Sequence, residues 1–230
     1  MSAFLFNVPV AQARFSIMNK LSDDLGKREL CEQALSGFQE KNVQISRTRD
    51  GDTFDVQING KSFGVRMLSV DTPESFYEGH SQGEWATEAK TYLKKVLKPK
   101  ETVTLQFGRD KCDFYGRILA YVKKGPQDLN AELLRRGLAV NYCVYPEMDR
   151  CLKYGKIVHE AKEAGRGLWS DSTTAIPYEW RADVRGTDGA AFVGDIDSRE
   201  VRSMRDLEDV DVEKRVFFLT RRNFFVGKKF

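Results

Sequence analysis

The chain has 230 residues, of which 41% are hydrophobic and 31% are charged, a size and composition that suit one or two globular domains. The formal net charge is +3 and the sequence pI is ≈ 8.6, below the usual value for a strongly basic nucleic-acid-binding domain. No apolar run approaches the roughly 18 residues that a membrane-spanning helix needs, so the sequence excludes a span. Bulk charge leaves the class of partner open.

Four cysteines are present, Cys31, Cys112, Cys143 and Cys151. None belongs to a CxxC pair or has a histidine at zinc-ligand spacing. We therefore expect free thiols at these positions and no metal site built on sulfur.

The first twenty residues contain Arg14 and Lys20 and no acidic residue. This composition slightly favours a presequence for mitochondria or another organelle. A secretory signal fits less well because its positive n-region is missing. The alternative is an apolar N-terminal arm that packs on the domain, so secreted and cytosolic locations stay open.

The N-terminal third begins with helical spacing and continues with strand patterns. Apolar residues three and four apart between Phe15 and Phe38 predict a helix or a helix pair, interrupted near Gly26. Three short alternating runs follow, and the Asp-Gly and Asn-Gly turns between them predict consecutive antiparallel strands. These runs are 43-VQISRTR-49, 53-TFDVQI-58 and 62-SFGVRMLSV-70.

Helices and strands then alternate. The predicted helices cover 84–97, 130–137 and 147–165, and the predicted strands cover 102–107, 117–122 and the extended piece 139–145. Five short strands, with helices between and after them, predict an α+β fold built on a small closed β-barrel of the OB type.

The pattern weakens after Ser170. Residues 181–213 are rich in Asp, Glu, Arg and Gly, and we expect a loosely structured extension here. The last segment, 214–230, contains six Lys or Arg, no acidic residue and several interleaved Phe. Such residues are suited to stacking on single-stranded bases. Burial against the domain itself or against a protein partner is the interpretation we favour.

Carboxylates gather at strand ends. If strands 53–58 and 62–70 pair across the 59-NG-60 turn, Asp52 and Asp71 both lie at the end far from that turn. Two carboxylates at one end of a barrel suit a hard cation such as Ca²⁺ or Mg²⁺. A single aspartate in a DGD turn also has a purely local use, because it satisfies its own backbone.

Two arginines accompany these carboxylates. Arg66 alternates with Val65 and Met67, so it faces either the solvent or the mouth of the barrel, and for a lone arginine the solvent is favoured. Arg117 stands at the start of a later strand. Two guanidinium groups that converge on one anion would clamp a phosphate through paired hydrogen bonds, which lysine cannot imitate.

Five motifs complete the pattern: 50-DGDT-53, 65-VRMLSVDTPE-74, 113-DFYGRILAYV-122, 130-NAELLRRGLA-139 and 167-GLW-169. In this order and spacing they resemble the staphylococcal nuclease (thermonuclease) family. The segment 177-PYEWR-181 also looks like the Trp-Arg tail of bacterial-type members. The resemblance implies a five-stranded OB-type barrel with three helices over residues 43–170. An N-terminal arm and helix (1–42) and a C-terminal extension (171–230) would flank it.

The resemblance also implies a Ca²⁺-dependent phosphodiesterase that acts on DNA and RNA, with Mg²⁺ less favoured than Ca²⁺. The metal ligands of the family fall on Asp52, Asp71 and the backbone carbonyl of Thr72. The general base falls on Glu74. The phosphate-binding arginines fall on the two arginines already described, Arg66 and Arg117.

The substrate-binding positions match the family less well. The phosphate-contacting tyrosine falls on Tyr115, but Phe114 replaces the lysine that often precedes it. Cys143 stands where the family has a tyrosine that stacks on a base, and Tyr142 or Tyr145 would replace it after a small shift.

These departures, together with the long terminal segments, motivate an alternative function. The chain would then be a catalytically silent nuclease-like module that binds nucleic acid or serves as a structural subunit of a larger assembly. Its protein partner would dock through residues 1–42 or 171–230.

Overall fold

The computed structural model describes residues 10–186, 189–220 and 226–230. The chain enters on a long helix, α1 (Val10–Ala34), which continues through Gly26, so the predicted interruption is wrong. On its predicted apolar face, Cys31 is inaccessible, whereas Leu21 and Leu25 are exposed. Within the described parts of the chain, no helix combines the length and apolar character that crossing a bilayer requires. Residues 1–9 of the predicted presequence or arm lie outside the described residues.

The central elements follow closely the predicted alternation. In chain order they are β1 (Glu40–Thr48), β2 (Thr53–Ile58), β3 (Lys61–Met67), β4 (Ser69–Asp71), α2 (Glu84–Val96), β5 (Thr102–Cys112), β6 (Ile118–Lys124), β7 (Gln127–Asp128), α3 (Leu129–Arg135), β8 (Val140–Val144) and α4 (Cys151–Glu163).

Strands β3, β2, β1, β5 and β6 are hydrogen-bonded in that order, and parallel pairing of β3 with β6 closes them into a barrel. The predicted α+β fold with a five-stranded OB-type barrel and accompanying helices is confirmed. Alternate side chains fill the barrel interior, and the buried set includes Phe54, Val56, Val65, Met67 and Ile118.

Local turn chemistry explains the register of β2 and β3. Asn59 and Gly60 have positive φ values of 51° and 76°, the conformation that a two-residue hairpin turn favours. The turn sets Ile58 opposite Lys61 and, at the far end of the hairpin, Thr53 opposite Arg66. The ends that carry Asp52 and Arg66 are therefore brought together by the hairpin.

The run predicted as one strand over 62–70 is divided in two. The backbone turns at Ser69, which has a φ of 56°. As a result β4 leaves the barrel and pairs with β8, where Asp71 is opposite Val140. This departure places Asp71 on a second sheet, next to the open end of the barrel.

The C-terminal segment is folded, so the prediction of a loosely structured extension is wrong. It contains α5 (Pro177–Arg185), β9 (Phe192–Asp195), β10 (Val201–Ser203) and β11 (Arg215–Phe218). These strands join β8 and β4 in a five-stranded sheet of order β10-β9-β11-β8-β4. Strands of three or four residues are too short to produce a periodic signal among so many charges, although Val193, Val201 and Phe217 are buried.

Segment 214–230 thus contributes a strand to its own domain, in line with the self-packing interpretation. Phe217 and Phe218 are each 2% exposed. Phe224 and Phe225 lie outside the described residues.

The prediction of free thiols is also wrong, because all four cysteines form disulfides. Cys31–Cys112 joins α1 to the end of β5, and Cys143–Cys151 joins β8 to the start of α4. The first bond links residues 81 positions apart, a pairing that spacing alone does not reveal. Stable disulfides are typical of proteins from oxidising compartments.

Candidate active site

The mouth of the barrel is built from two adjoining loops, each rich in carboxylates. Asp52 accepts hydrogen bonds from the Thr53 hydroxyl (2.9 Å) and from the Thr72 backbone N–H (3.1 Å). Asp50 accepts a hydrogen bond from the Ser75 hydroxyl at 2.6 Å. The loop that follows β1 is therefore fastened to the loop that follows β4.

Arg66 lies inside this mouth and not in the solvent, with its side chain only 16% exposed. It donates to the main-chain carbonyls of Met67 (2.8 Å) and Val70 (2.7 Å). It also contacts Asp52 at 3.1 Å and Asp71 at 2.9 Å. Burial lowers the pKa of Arg66, but the two aspartate charges more than offset this effect and raise it. A permanently charged guanidinium thus joins both proposed metal ligands.

Glu74 lies beside this pair, and its side chain is 24% exposed. Its backbone N–H donates to the Gln82 side chain at 2.9 Å, which fixes the loop after Pro73. Burial, with the charges of Asp52 and Asp71, raises the pKa of Glu74 to about 7. A carboxylate with such a pKa is a stronger base at neutral pH than an ordinary glutamate.

A third arginine, Arg181 on α5, enters the same cluster. It forms a paired contact with Asp71, from Nη1 to Oδ1 at 3.0 Å and from Nη2 to Oδ2 at 2.8 Å. Its Nη1 also donates to Glu74 Oε1 at 2.8 Å. In the sequence, Arg181 is only part of the 177-PYEWR-181 tail motif, which predicts no role for it. The sequence feature that could have placed Arg181 on a helix is Pro177, because proline is common in the first turn of a helix and Arg181 lies one turn further on.

The Tyr115–Arg117 turn forms another side of the site. Asp113 Oδ1 accepts the backbone N–H groups of Tyr115 and Arg117, both at 2.9 Å, and its Oδ2 accepts Arg117 Nε at 2.6 Å. Gly116, at φ 75°, packs so tightly on α1 that an added Cβ would lie 2.6 Å from the Cβ of Lys27. The turn is rigidly held while Tyr115 remains 58% exposed.

These parts border one groove of about 670 Å³. Five of the predicted site residues line it: Arg66, Glu74, Tyr115, Arg117 and Tyr142. It is also lined by Tyr77, Arg181 and Arg185, which were not predicted from the sequence as site residues. Asp52 and Asp71 do not line the groove themselves, but both form ion pairs with Arg66, which does.

The proposed base-stacking tyrosines differ in their positions. Tyr142 lies on the groove, but its ring is stacked on Tyr178 at 5.7 Å and contacts Phe217 at 4.9 Å. Tyr145 is stacked on Phe218 at 5.2 Å and does not line the groove. The alternative aligned position, Cys143, is buried in a disulfide. Substrate stacking by either tyrosine stays a prediction.

The donor set suits a hard cation by chemistry. Asp52 and Asp71 offer carboxylate oxygens, and Thr72 adds a main-chain carbonyl, which are the ligand types that Ca²⁺ prefers. In the described part of the chain, no group of three or more His, Cys, Asp or Glu side chains is arranged to hold a metal ion. The proposed set contains only two such side chains, and arginines supply the positive charge between them.

A barrel of this topology, with carboxylates and arginines at its open end, defines a nuclease-like OB fold. Comparison with known proteins agrees: the family model "Staphylococcal nuclease homologue" matches residues 64–171. Thermonuclease of Staphylococcus hyicus is 31% identical over 137 residues, which cover 60% of this chain and 80% of that protein. The chain therefore belongs to the staphylococcal nuclease family.

Two further relatives come from Bacillus subtilis (strain 168). Endonuclease YncB is 35% identical over 133 residues, covering 57% of this chain and 63% of that protein. Endonuclease YhcR is 28% identical over 217 residues, covering 89% of this chain but only 18% of that protein. The likeness to YhcR extends beyond the residues that the family model matches.

Proposed function

We propose that the protein is a Ca²⁺-dependent nuclease that hydrolyses phosphodiester bonds of DNA or RNA. One observation supports this most: Asp52, Asp71, Glu74 and Arg66 form one cluster, and its members Glu74 and Arg66 line the same groove as Arg117. Nuclease relatives that match more than half of the chain support this assignment.

In the proposed mechanism, Asp52, Asp71 and the Thr72 carbonyl hold the cation. When bound, Ca²⁺ supplies positive charge that polarises the phosphodiester. Arg66 and Arg117 donate hydrogen bonds to the phosphate oxygens and stabilise the charge that develops in the transition state.

Glu74 takes a proton from a water molecule, whose oxygen attacks phosphorus opposite the leaving group. The new bond is from water oxygen to phosphorus, and the bond from phosphorus to the 5′ oxygen breaks. The 5′ oxygen leaves as a hydroxyl by taking a proton from solvent water, Glu74 returns its proton to the solvent, and the other product ends in a 3′-phosphate. In this proposal Tyr115, which is exposed beside Arg117, contacts a neighbouring phosphate.

The test is cleavage of single-stranded DNA and single-stranded RNA by the purified protein, with Ca²⁺ or with a chelator. We expect Ca²⁺-dependent cleavage that falls roughly 10²- to 10⁴-fold in Glu74→Ala, the usual contribution of a placed general base. Glu88→Ala, an exposed glutamate on α2, is the matched control. Binding of nucleic acid without Ca²⁺-dependent cleavage would contradict the proposal and indicate a silent module.

A further inference from the structure

The two oxygens of Asp71 are both engaged by guanidinium groups. Oδ1 accepts from Arg66 Nη2 (2.9 Å) and from Arg181 Nη1 (3.0 Å), and Oδ2 accepts from Arg181 Nη2 (2.8 Å). Asp71 is 0% exposed, and a buried carboxylate of this kind needs a positive partner. Oδ1 already accepts two hydrogen bonds, so a cation that binds this oxygen of Asp71 must displace at least one of them.

The two arginines differ in how firmly they are held. Arg66 is anchored by the carbonyls of Met67 and Val70 in addition to the aspartates. Among the hydrogen bonds made by described residues, those of the Arg181 guanidinium go only to Asp71 and Glu74. Arg181 is therefore the guanidinium that a cation displaces more easily.

Arg181 also belongs to a different part of the chain from the other site residues. It lies on α5, beyond the residues 64–171 that the family model matches. The helix is seated on the second sheet through Tyr178, which contacts Phe217 at 4.8 Å and accepts a hydrogen bond from Arg215 at 2.8 Å. The C-terminal segment thus places one guanidinium group, that of Arg181, directly at the site.

We propose that Arg181 is a positioning residue that holds Asp71 and Glu74 in place of the metal ion and releases Asp71 when Ca²⁺ binds. The inference rests on the proposed function in one respect, the assignment of Asp71 as a Ca²⁺ ligand. Because Arg181 and the cation compete for the same oxygens, the C-terminal segment weakens Ca²⁺ binding and sets the concentration at which the site is filled.

The test is calorimetric titration of the full chain with CaCl₂ at pH 8, without nucleic acid. We expect Arg181→Gln to bind Ca²⁺ roughly 10- to 100-fold more tightly than the wild type, the equivalent of one or two charge-assisted hydrogen bonds. Arg185→Gln removes the same charge one turn along α5, where the side chain contacts Glu78 at 3.4 Å and not Asp71. Its affinity should change by less than about threefold, because an exposed charge is screened by solvent.

A second variant keeps the inference testable if Arg181→Gln leaves Asp71 uncompensated and does not fold without Ca²⁺. Arg181→Lys preserves the charge but cannot make the paired contact, so its Ca²⁺ affinity should lie above that of the wild type. Thermal unfolding gives an independent readout: a saturating Ca²⁺ concentration should raise the Tm of either variant more than that of the wild type.

Equal or weaker Ca²⁺ binding by both Arg181 variants would overturn the inference, since Arg181 would then be a structural partner that stays in place. Failure of Ca²⁺ to bind any variant would overturn it as well. Tighter binding by the variants supports it even if the wild type cleaves no nucleic acid, a result that would contradict only the proposed function.

Discussion

Glu74 has a raised pKa even though it contacts the positively charged Arg181. Its Oε1 accepts from Arg181 at 2.8 Å, which favours the ionised form. Burial and the charges of Asp52 and Asp71 act in the opposite direction and prevail, so the pKa rises from 4.5 to about 7. At neutral pH the carboxylate is therefore close to its midpoint of protonation in the metal-free protein.

This shift predicts a pH dependence of stability. Because the folded state holds the Glu74 proton more tightly than the unfolded chain, this group's stabilising contribution is full below about pH 4.5. It is then lost as the pH rises through about 7. We expect the difference in free energy of unfolding between the wild type and Glu74→Gln to move by about 3 kcal/mol in favour of Glu74→Gln between pH 4 and pH 8. Urea unfolding with a chelator present measures it.

Comparison with Glu74→Gln removes the contribution of every other titrating group. The signal of Glu74 in carbon-detected NMR, identified by its disappearance in that variant, should titrate near pH 7. A midpoint close to 4.5, or a pH-independent stability difference, would contradict the prediction.

At the scale of elements, α1 braces the loop that carries Arg117. Cys31 on α1 is bonded to Cys112 at the end of β5. Lys111 donates to the carbonyls of Leu35, at 3.4 Å, and Phe38, which follow the helix. The tight approach of Gly116 to Lys27 adds a third contact next to the Tyr115–Arg117 turn. Although α1 precedes the barrel, it helps to position a phosphate-binding residue.

The two disulfides should differ in their effect on stability. Cys31–Cys112 closes a separation of 81 residues and Cys143–Cys151 one of 8 residues. In the chain-entropy account, the longer loop restricts the unfolded chain more, by about 2 kcal/mol. The Cys31→Ala/Cys112→Ala variant should thus lose about 2 kcal/mol more free energy of unfolding than Cys143→Ala/Cys151→Ala, measured by urea denaturation.

Both double variants remove two buried sulfur atoms and leave no unpaired thiol, so each serves as the control for the other. Equal losses, or a larger loss for the shorter loop, would contradict the loop-length argument and would indicate that packing of α4 and β8 dominates.

For the molecule as a whole, two strands next to the barrel, β4 and β8, share a sheet with the C-terminal segment. β11 pairs in parallel with β8 and antiparallel with β9, so it lies between β8 and the other C-terminal strands. Asp71 is on β4 at one edge of this sheet, and Arg181 reaches it from α5. The site is therefore assembled from both halves of the chain.

We expect the two halves to unfold together. Phe217 on β11 is 2% exposed, and Phe217→Ala should lower the free energy of unfolding by about 3–5 kcal/mol through loss of buried contacts. Leu219→Ala, only two residues further on at 54% exposure, should change it by less than about 1 kcal/mol. Urea unfolding, followed by circular dichroism and tryptophan fluorescence, should show one transition that shifts in both signals.

Two separate transitions, of which only one responds to Phe217→Ala, would show that the C-terminal segment folds independently. The division at residues 170 and 171, proposed from the sequence, would then mark a boundary between folding units.

Interactions that are local in the chain were predictable from the sequence. The Asn59–Gly60 turn and the alternation of the flanking strands determine the hairpin, and the hairpin brings Asp52 near Arg66. The family motifs then identified Glu74, Tyr115 and Arg117. Periodicity alone favoured a solvent-facing Arg66, although a strand presents alternate residues either to solvent or to the barrel mouth.

Tertiary structure decided the contacts between distant segments. Arg181 and Asp71 are 110 positions apart, and Cys31 and Cys112 are 81 apart. Neither pair leaves a periodic trace, because each depends on where whole elements pack. The short C-terminal strands were missed for a similar reason: they are stable only when paired with β8. Patterns between residues close in the chain specify the barrel and the residues at its mouth, whereas packing of the C-terminal sheet brings Arg181 against them.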